Sequence, residues 1–329
     1  MSVLRSERTP RTCEELLRDY VPAETKGRKI VFEGVDGRDV YNITAPFRNE
    51  GEWYMAGRVE ERNSEDSEVV FFTAKDGIWK PKTDLPRFRL QDPFITRLEG
   101  EWIMGGVQLH FSKEPERKID GWRTVLYRGS VLHDLTHVKS GPWNMKDIRL
   151  TPLIDGTVGF FSRPFGVEGR VAVIGFNIIR SFEDLSETIF LHGHLFRDQF
   201  VKEEWGGANE IHMLSNGMLG VLGHISRRDA DGMLHYHAMT FGLNPWTLEK
   251  TELKIVAVRG DFPDGPAKRP DLVDVIFSGG LIREADGRAV LYVGASDTEA
   301  YSLELHDPFL EYEQLPAVCA EDPHGLTKS

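Results

Sequence analysis

Short apolar runs alternate with glycine-bearing turns along this chain, and the layout recurs. The runs cover residues 51–58, 100–106, 156–163, 217–224 and 287–294, and each opens on a turn glycine: Gly51, Gly100, Gly156, Gly217 and Gly287, which fall 49, 56, 61 and 70 residues apart. Apolar β-formers bracketing a glycine turn predict a hairpin. Ahead of each run lies a partner segment with a polar residue near its start: 41–45, 91–96, 144–150, 206–212 and 274–280. The clearest hairpin is 87–106, where Phe94, Ile95 and Leu98 lead into Glu99-Gly100, and Trp102, Ile103 and Met104 lead out. Segments 67–73, 124–127, 171–176 and 236–241 read as outer strands, and 63–67 and 257–270 as loops. One helix start is clear: Thr12, with Glu15 three residues on and Leu16-Leu17 behind, forms a capping box. A strand is predicted over 29–33.

Repeats of this period, each an all-β unit, predict a propeller. The expected fold is all-β: a five-bladed β-propeller with a short N-terminal helical segment, one domain over 1–329. In it, 1–28 form an N-terminal extension and 317–329 a loose C-terminal tail. No linker divides the chain.

Composition narrows the partners. The net charge is −12 and the isoelectric point about 5.4, which argues against a nucleic-acid or anionic-membrane surface. A local cluster of cations can still bind an anion in an acidic protein. Cys13 and Cys319 are the only cysteines among 329 residues, too few for a disulfide framework, so a cytoplasmic location is expected. The first residues lack the pattern of a signal peptide, and no run approaches the ~18 apolar residues of a membrane helix.

Radial repetition makes polar residues at one end of the inner strands converge. The converging set is Asn42, Thr44, Asp92, Lys146, Asp147, Arg149, Asn209, Glu210 and Asp274, with Arg58, Glu60, Arg163 and His224 at the ends of the second strands. Carboxylates and amides bind hydroxyls, and Lys and Arg bind phosphate, so the mixture suits a sugar or sugar phosphate. Each residue has a plainer reading beside this one. Asp92 before Pro93 could be a turn residue, Arg58–Glu60 and Arg163 ordinary ion pairs, and His224 a hydrogen-bonded core histidine. His192/His194 and His235/His237 each put two imidazoles on one strand face but lack a third ligand, so no metal is expected. Glycine-rich dinucleotide or phosphate loops and a Gly-x-Ser-x-Gly elbow are absent from the sequence.

Five pieces in order resemble glycoside hydrolase family 130, the β-mannoside phosphorylases and mannosidases, and the related glycosyltransferase family 108, the β-1,2-mannan transferase/phosphorylases. They are Tyr41-Asn42 with Arg58-Val59-Glu60; Gln91-Asp92-Pro93; Lys146 through Arg163-Pro164; Gly206-Gly207 to His224; and Asp274–Phe277 with 292–298, which includes Asp297. The resemblance implies a five-bladed propeller and inverting, single-displacement chemistry on a β-mannoside. It implies Asp92 as catalytic acid, acting in family 130 phosphorylases through a hydroxyl of the reacting sugar. Asn42, Arg58 and Asp274 would hold the mannose; Thr44, Glu60, Asn209 and Glu210, from the converging set, and Asp297 are expected as further sugar contacts. Arg163, Lys146 and His224 would hold phosphate, and Arg149, from the converging set, is expected to add its charge there. The acid motif reads Gln91-Asp92-Pro93-Phe94 where family 130 has Glu-Asp-Pro-Arg, which leans toward the transferase/phosphorylase branch. The expected function is phosphorolysis of β-1,2-linked manno-oligosaccharides, or its reverse. Inorganic phosphate is the co-substrate, no cofactor is needed, and a homo-oligomer is left open. The alternatives are hydrolysis, with Glu210 or Asp147 as second carboxylate, transfer from GDP-mannose, and a non-catalytic glycan-binding propeller.

Overall fold

The computed structural model describes residues 2–113 and 118–318. They form an all-β protein of several antiparallel sheets with short helices only. The expected hairpins are present. The strand Gln91–Leu98 pairs with Glu101–Phe111 around Glu99-Gly100, and equivalent pairs are Arg149–Pro152 with Val158–Ser162, Trp205–Met213 with Leu219–Arg228, and Asp274–Arg283 with Arg288–Ala295. All five turn glycines take φ between 81° and 87°, the left-handed region that costs glycine nothing. The predicted helix is Cys13–Arg18, and Thr12 and Glu15 make both bonds of its capping box.

One sheet runs from Val31–Phe32 through Ile78–Pro81, Ser67–Lys75 and Glu52–Glu60 to Asp39–Tyr41, with Phe47–Asn49 also on Glu52–Glu60. Four-stranded sheets follow over 91–140 and 149–195. Strands 205–257 and 274–306 make two further antiparallel meanders, joined into one eight-stranded sheet by parallel pairing of His235-Tyr236 with Asp274-Val275. Aromatic and aliphatic side chains fill the spaces between sheets, for example Phe161, Phe176, Phe196 and Phe241, all nearly inaccessible. Each such residue contributes roughly 2–3 kcal/mol of transfer free energy.

The chain differs from the expected strands in instructive ways. The strand foreseen over 29–33 is two: Arg28–Lys29 joins the last meander against Glu299–His306, and Val31–Phe32 joins the first sheet against Ile78–Pro81. The N-terminal segment thus straps the first sheet to the last. Asn42, at φ +45°, ends the strand Asp39–Tyr41. Lys146 and Asp147 lie in a loop before Arg149–Pro152, with Asn144 and Asp147 both at positive φ. The outer strand foreseen at 171–176 is Gly175–Ile179. Of the C-terminal tail, Val318 donates its N–H to the Asn216 carbonyl; 319–329, with Cys319, lie outside the described residues.

The strands Gln91–Leu98, Arg149–Pro152, Trp205–Met213 and Asp274–Arg283 pack against one another. Three of them break register where they do so: at Asp92-Pro93, at Asn209 and at Gly279. Proline has no N–H for the ladder, which accounts for the first. The last reflects crowding, because a Cβ on Gly279 would lie 1.5 Å from the Ile43 carbonyl oxygen. Gly279→Ala is therefore expected to force the inner strands apart and to lower the thermal midpoint by roughly 5–10 °C, following an overpacking cost of about 3 kcal/mol. Calorimetry of the variant against the parent checks this.

Candidate active site

The bulges and the left-handed residues aim side chains at one another, and two linked clusters result. In the first, Asp92 (φ +49°) is buried, and its Oδ1 accepts from Asn42 Nδ2 at 2.8 Å and from Arg58 Nη1 at 3.2 Å. Arg58 also donates to Glu60 and Glu65, and its guanidinium lies 4.8 Å from the Tyr41 ring centre. Glu60 accepts further bonds from Tyr41 and Lys268. Glu60 therefore holds Arg58 in place, and its carboxylate is already saturated. Burial alone would push the Asp92 carboxyl up; the charges of Arg58 and Lys146 and the Asn42 amide outweigh it and hold Asp92 below the ordinary value. Asp297 (φ +54°) stands near the same guanidinium and behaves oppositely. Burial, reinforced by the Asp92 charge and only partly countered by Arg58 and Lys268, pushes it up to about 6. Two carboxyl groups beside one arginine are thus driven apart in acidity.

In the second cluster, Asp147 Oδ2 lies 3.0 Å from Arg163 Nε, and Arg149 Nη2 lies 4.0 Å from Oδ1. Arg163 Nη1 is 3.0 Å from His224 Nε2, and His224 Nδ1 is 2.8 Å from Asn209 Oδ1. A guanidinium can only donate, so His224 accepts on Nε2 and carries its proton on Nδ1 toward Asn209. Burial, then the Arg163 charge, push the His224 imidazole down to about 3, so it is neutral. Burial opposes ionisation of Asp147, yet Arg163, Lys146 and Arg149 bring it down to about 2. Gly207 makes room for this arrangement: a Cβ there would sit 2.7 Å from Asp147 Oδ2 and 2.9 Å from His224 Cε1. With Lys146, Arg149 and Arg163 charged, Asp147 ionised and His224 neutral, the cluster carries a surplus of two positive charges. Lys146 is half-buried and makes no ion pair within 4 Å among the described residues. The Asn209 Nδ2 group is buried without a partner. Both are available to a ligand.

The structure thus brings together Asn42, Arg58, Glu60, Asp92, Lys146, Arg149, Arg163, Asn209, His224 and Asp297. Three expected sugar contacts lie elsewhere. Thr44 accepts from the Ala56 N–H. Glu210 accepts from the Leu281 N–H and His212, because the bulge at Asn209 turns it to the other side. Both line a separate cavity of about 190 Å³, with Arg149 and Asn209 between it and the clusters. Asp274 accepts from His235 Nδ1 at 2.6 Å and bonds neither Asp92 nor Arg58 among the described residues. Sequence reading missed Tyr41, Glu65 and Lys268 as supports of Arg58. Lys268 comes from the loop before Asp274–Arg283, whose composition signals only a turn-rich connection. Among the described residues no group of three acidic, histidine or cysteine side chains is arranged for a metal ion.

The depressed imidazole sets a pH dependence. Its folded value is below the ordinary value, so the unfolded chain binds more protons between pH 6.5 and 3, and stability rises with pH across that window. Lowering the pH from 7 to 4 is expected to remove about 3 kcal/mol through His224. His224→Gln, which cannot titrate, should flatten this part of the curve of thermal midpoint against pH.

Residues 21–311 match the family model described as "Protein of unknown function (DUF1861)". No curated protein matches the chain. Among solved structures, MPT-4, a mannose phosphorylase from Leishmania mexicana in complex with phosphate ion, is 30% identical with a TM-score of 0.82, covering 94% of this chain and 97% of that one. MPT-1, a GDP-Man-dependent mannosyltransferase from Leishmania mexicana, is 32% identical with a TM-score of 0.81, covering 93% of this chain and 95% of that one. The β-1,2-mannobiose phosphorylase of Listeria innocua, at 14% identity and a TM-score of 0.56 over 92% of this chain and 98% of that one, shares the fold. The chain accordingly belongs to the DUF1861 family and is a structural relative of the Leishmania mannose phosphorylase and mannosyltransferase, in line with its resemblance to glycosyltransferase family 108 and glycoside hydrolase family 130.

Proposed function

We propose that the protein is an inverting phosphorylase of β-mannosides, acting on β-1,2-linked manno-oligosaccharides with phosphate and α-mannose 1-phosphate, on a five-bladed propeller in the cytoplasm. The observation that carries the reading is the surplus positive charge of the Lys146–Arg149–Arg163–Asp147–His224 cluster. A phosphate dianion leaving water needs that compensation, and a hydrolytic water does not. The mannose phosphorylase relative solved with phosphate supports it. The five strand groups, with the last meander closed by Arg28–Lys29, support the five blades.

In this mechanism a phosphate oxygen attacks the anomeric carbon from the α face as the bond to the glycosidic oxygen breaks. In phosphorolysis the departing oxygen takes a proton through Asp92, directly or by way of a sugar hydroxyl, and because Asp92 is ionised in the free protein that proton is the one the attacking hydrogen phosphate gives up. Asn42, Arg58 and Asp297 hold the mannose beside it. In the resting protein Asp92 is ionised, which suits it as the base that takes the acceptor proton in the synthetic direction. Of the two carboxylates expected as a hydrolytic base, Glu210 is turned away and Asp147 is engaged by Arg163, which favours phosphorolysis over hydrolysis. Transfer from GDP-mannose is the second reading, favoured by the mannosyltransferase relative at 32% identity.

Incubation with β-1,2-mannobiose, with and without inorganic phosphate, tests the proposal by following mannose 1-phosphate and free mannose. Mannose 1-phosphate is expected only with phosphate. Its rate should drop roughly 10²–10⁴-fold in Asp92→Asn. Free mannose regardless of phosphate would mean hydrolysis, and turnover of GDP-mannose alone would mean the transferase. Lys146→Ala and Arg163→Ala should separate. Lys146→Ala is expected to raise the KM for phosphate roughly ten- to a hundredfold with little effect on the thermal midpoint, since Lys146 forms no ion pair among the described residues. Arg163→Ala leaves Asp147 buried and weakly compensated, and should destabilise the fold by about 3–5 kcal/mol as well.

A further inference from the structure

Trp143 lies outside the two clusters and is not needed by the chemistry above. It is 44% exposed, although tryptophan is costly to leave in water. Its place is set by the loop that carries Lys146 and Asp147. The Asn144 N–H donates to the Trp122 carbonyl at 2.7 Å, and the Thr124 N–H donates to the Met145 carbonyl at 3.0 Å. Lys146 is three positions on from Trp143, so their Cα atoms are at most about 11 Å apart.

The indole lies against the sheet through one side. The Arg123 guanidinium is 4.5 Å from its ring centre, a Cβ on Gly121 would be 3.3 Å from Cε3, and the His110 ring meets it edge-on at 5.7 Å. Arg123 is itself held by Gln108 at 2.8 Å. With that side occupied, the exposed area is the outer face. His110 and Asp120, hydrogen-bonded to each other and exposed, stand at its rim. Trp53 is equally exposed and also faces an arginine, but it lies at the far end of the strand whose other end is Glu60, away from the clusters.

On the reading of the site as a mannoside phosphorylase, we propose that Trp143 is an outlying sugar subsite. The outer face of its indole stacks on the C–H face of a mannosyl unit one or more residues removed from the bond that breaks. Carbohydrate fits this surface because a sugar stacks on one aromatic face and sends its hydroxyls outward to polar groups such as those of Asp120, His110 and Asn144. A purine base would be better held between two faces, and Arg123 already takes the second. The consequence is a preference for longer manno-oligosaccharides.

The test is calorimetric binding to the Asp92→Asn protein, with β-1,2-mannobiose, β-1,2-mannotetraose and GDP as probes. Mannotetraose is expected to bind roughly five- to tenfold more tightly than mannobiose, and Trp143→Ala in that background should abolish this ratio while Trp143→Phe preserves most of it. Equal affinities for the two sugars, a ratio unchanged in Trp143→Ala, or no binding of either sugar would overturn the proposal. Weakening of GDP alone by Trp143→Ala would overturn it in favour of a nucleoside site. Wild-type turnover answers the separate question of the reaction. Length-dependent binding without phosphate-dependent turnover would sink phosphorolysis and leave the subsite standing.

Discussion

Where the inner strands meet, there is no room for a regular ladder. Gly279 presses on the Ile43 carbonyl, Gly207 sits under Asp147 and His224, and Asp92-Pro93 and Asn209 are extruded as bulges. An extruded residue loses its ladder partner and gains a new direction. Asp92, Asn42, Asp147 and Asp297 all take positive φ, a conformation that asparagine and aspartate adopt more readily than other side-chain-bearing residues. These four side chains thus come from positions outside regular pairing, whereas Arg58, Glu60, Arg149 and His224 project from regular ladders beside them.

This crowding concentrates charge, and the two clusters answer it differently. Around Arg58 the acids are in excess: Glu60, Glu65, Asp92 and Asp297 face Arg58 and Lys268. One of them, Asp297, is hard to ionise, chiefly because it is buried and in addition because Asp92 is close. Around Asp147 the cations are in excess and the imidazole stays neutral. A neutral polyhydroxyl ring suits the first environment and an anion the second, and the charge of Lys146 acts on both Asp92 and Asp147. A bond between a sugar and a phosphate oxygen would form where the two environments meet.

The buried charge also ties function to stability. Arg163 and Asp147 compensate each other, and Glu60 is satisfied only through Arg58, Tyr41 and Lys268. Removing one member leaves a charge in a medium that solvates it poorly. Lys146 is the exception, because it is half-buried and forms no ion pair among the described residues.

Much was legible in the sequence, for physical reasons that are local. The turn glycines are required by left-handed backbone, the Thr12–Glu15 cap satisfies its own helix end, and alternating apolar residues mark hairpins without reference to distant parts of the chain. Asn42, Arg58, Asp92, Arg163 and His224 could be found because they recur at one end of repeated hairpins. Three things depended on tertiary structure. The bulge at Asn209 decides that Asn209 faces the site and Glu210 does not, and a one-residue change of register is invisible to a period-two pattern. Pairing of His235-Tyr236 with Asp274-Val275 turns the Asp274 carboxylate onto His235, a contact across 39 residues. Lys268 reaches Glu60 from a loop 208 residues away. Side-chain direction after a bulge, and the partner of a charge on a loop, are set by what the fold brings alongside, and that lies beyond the reach of local pattern.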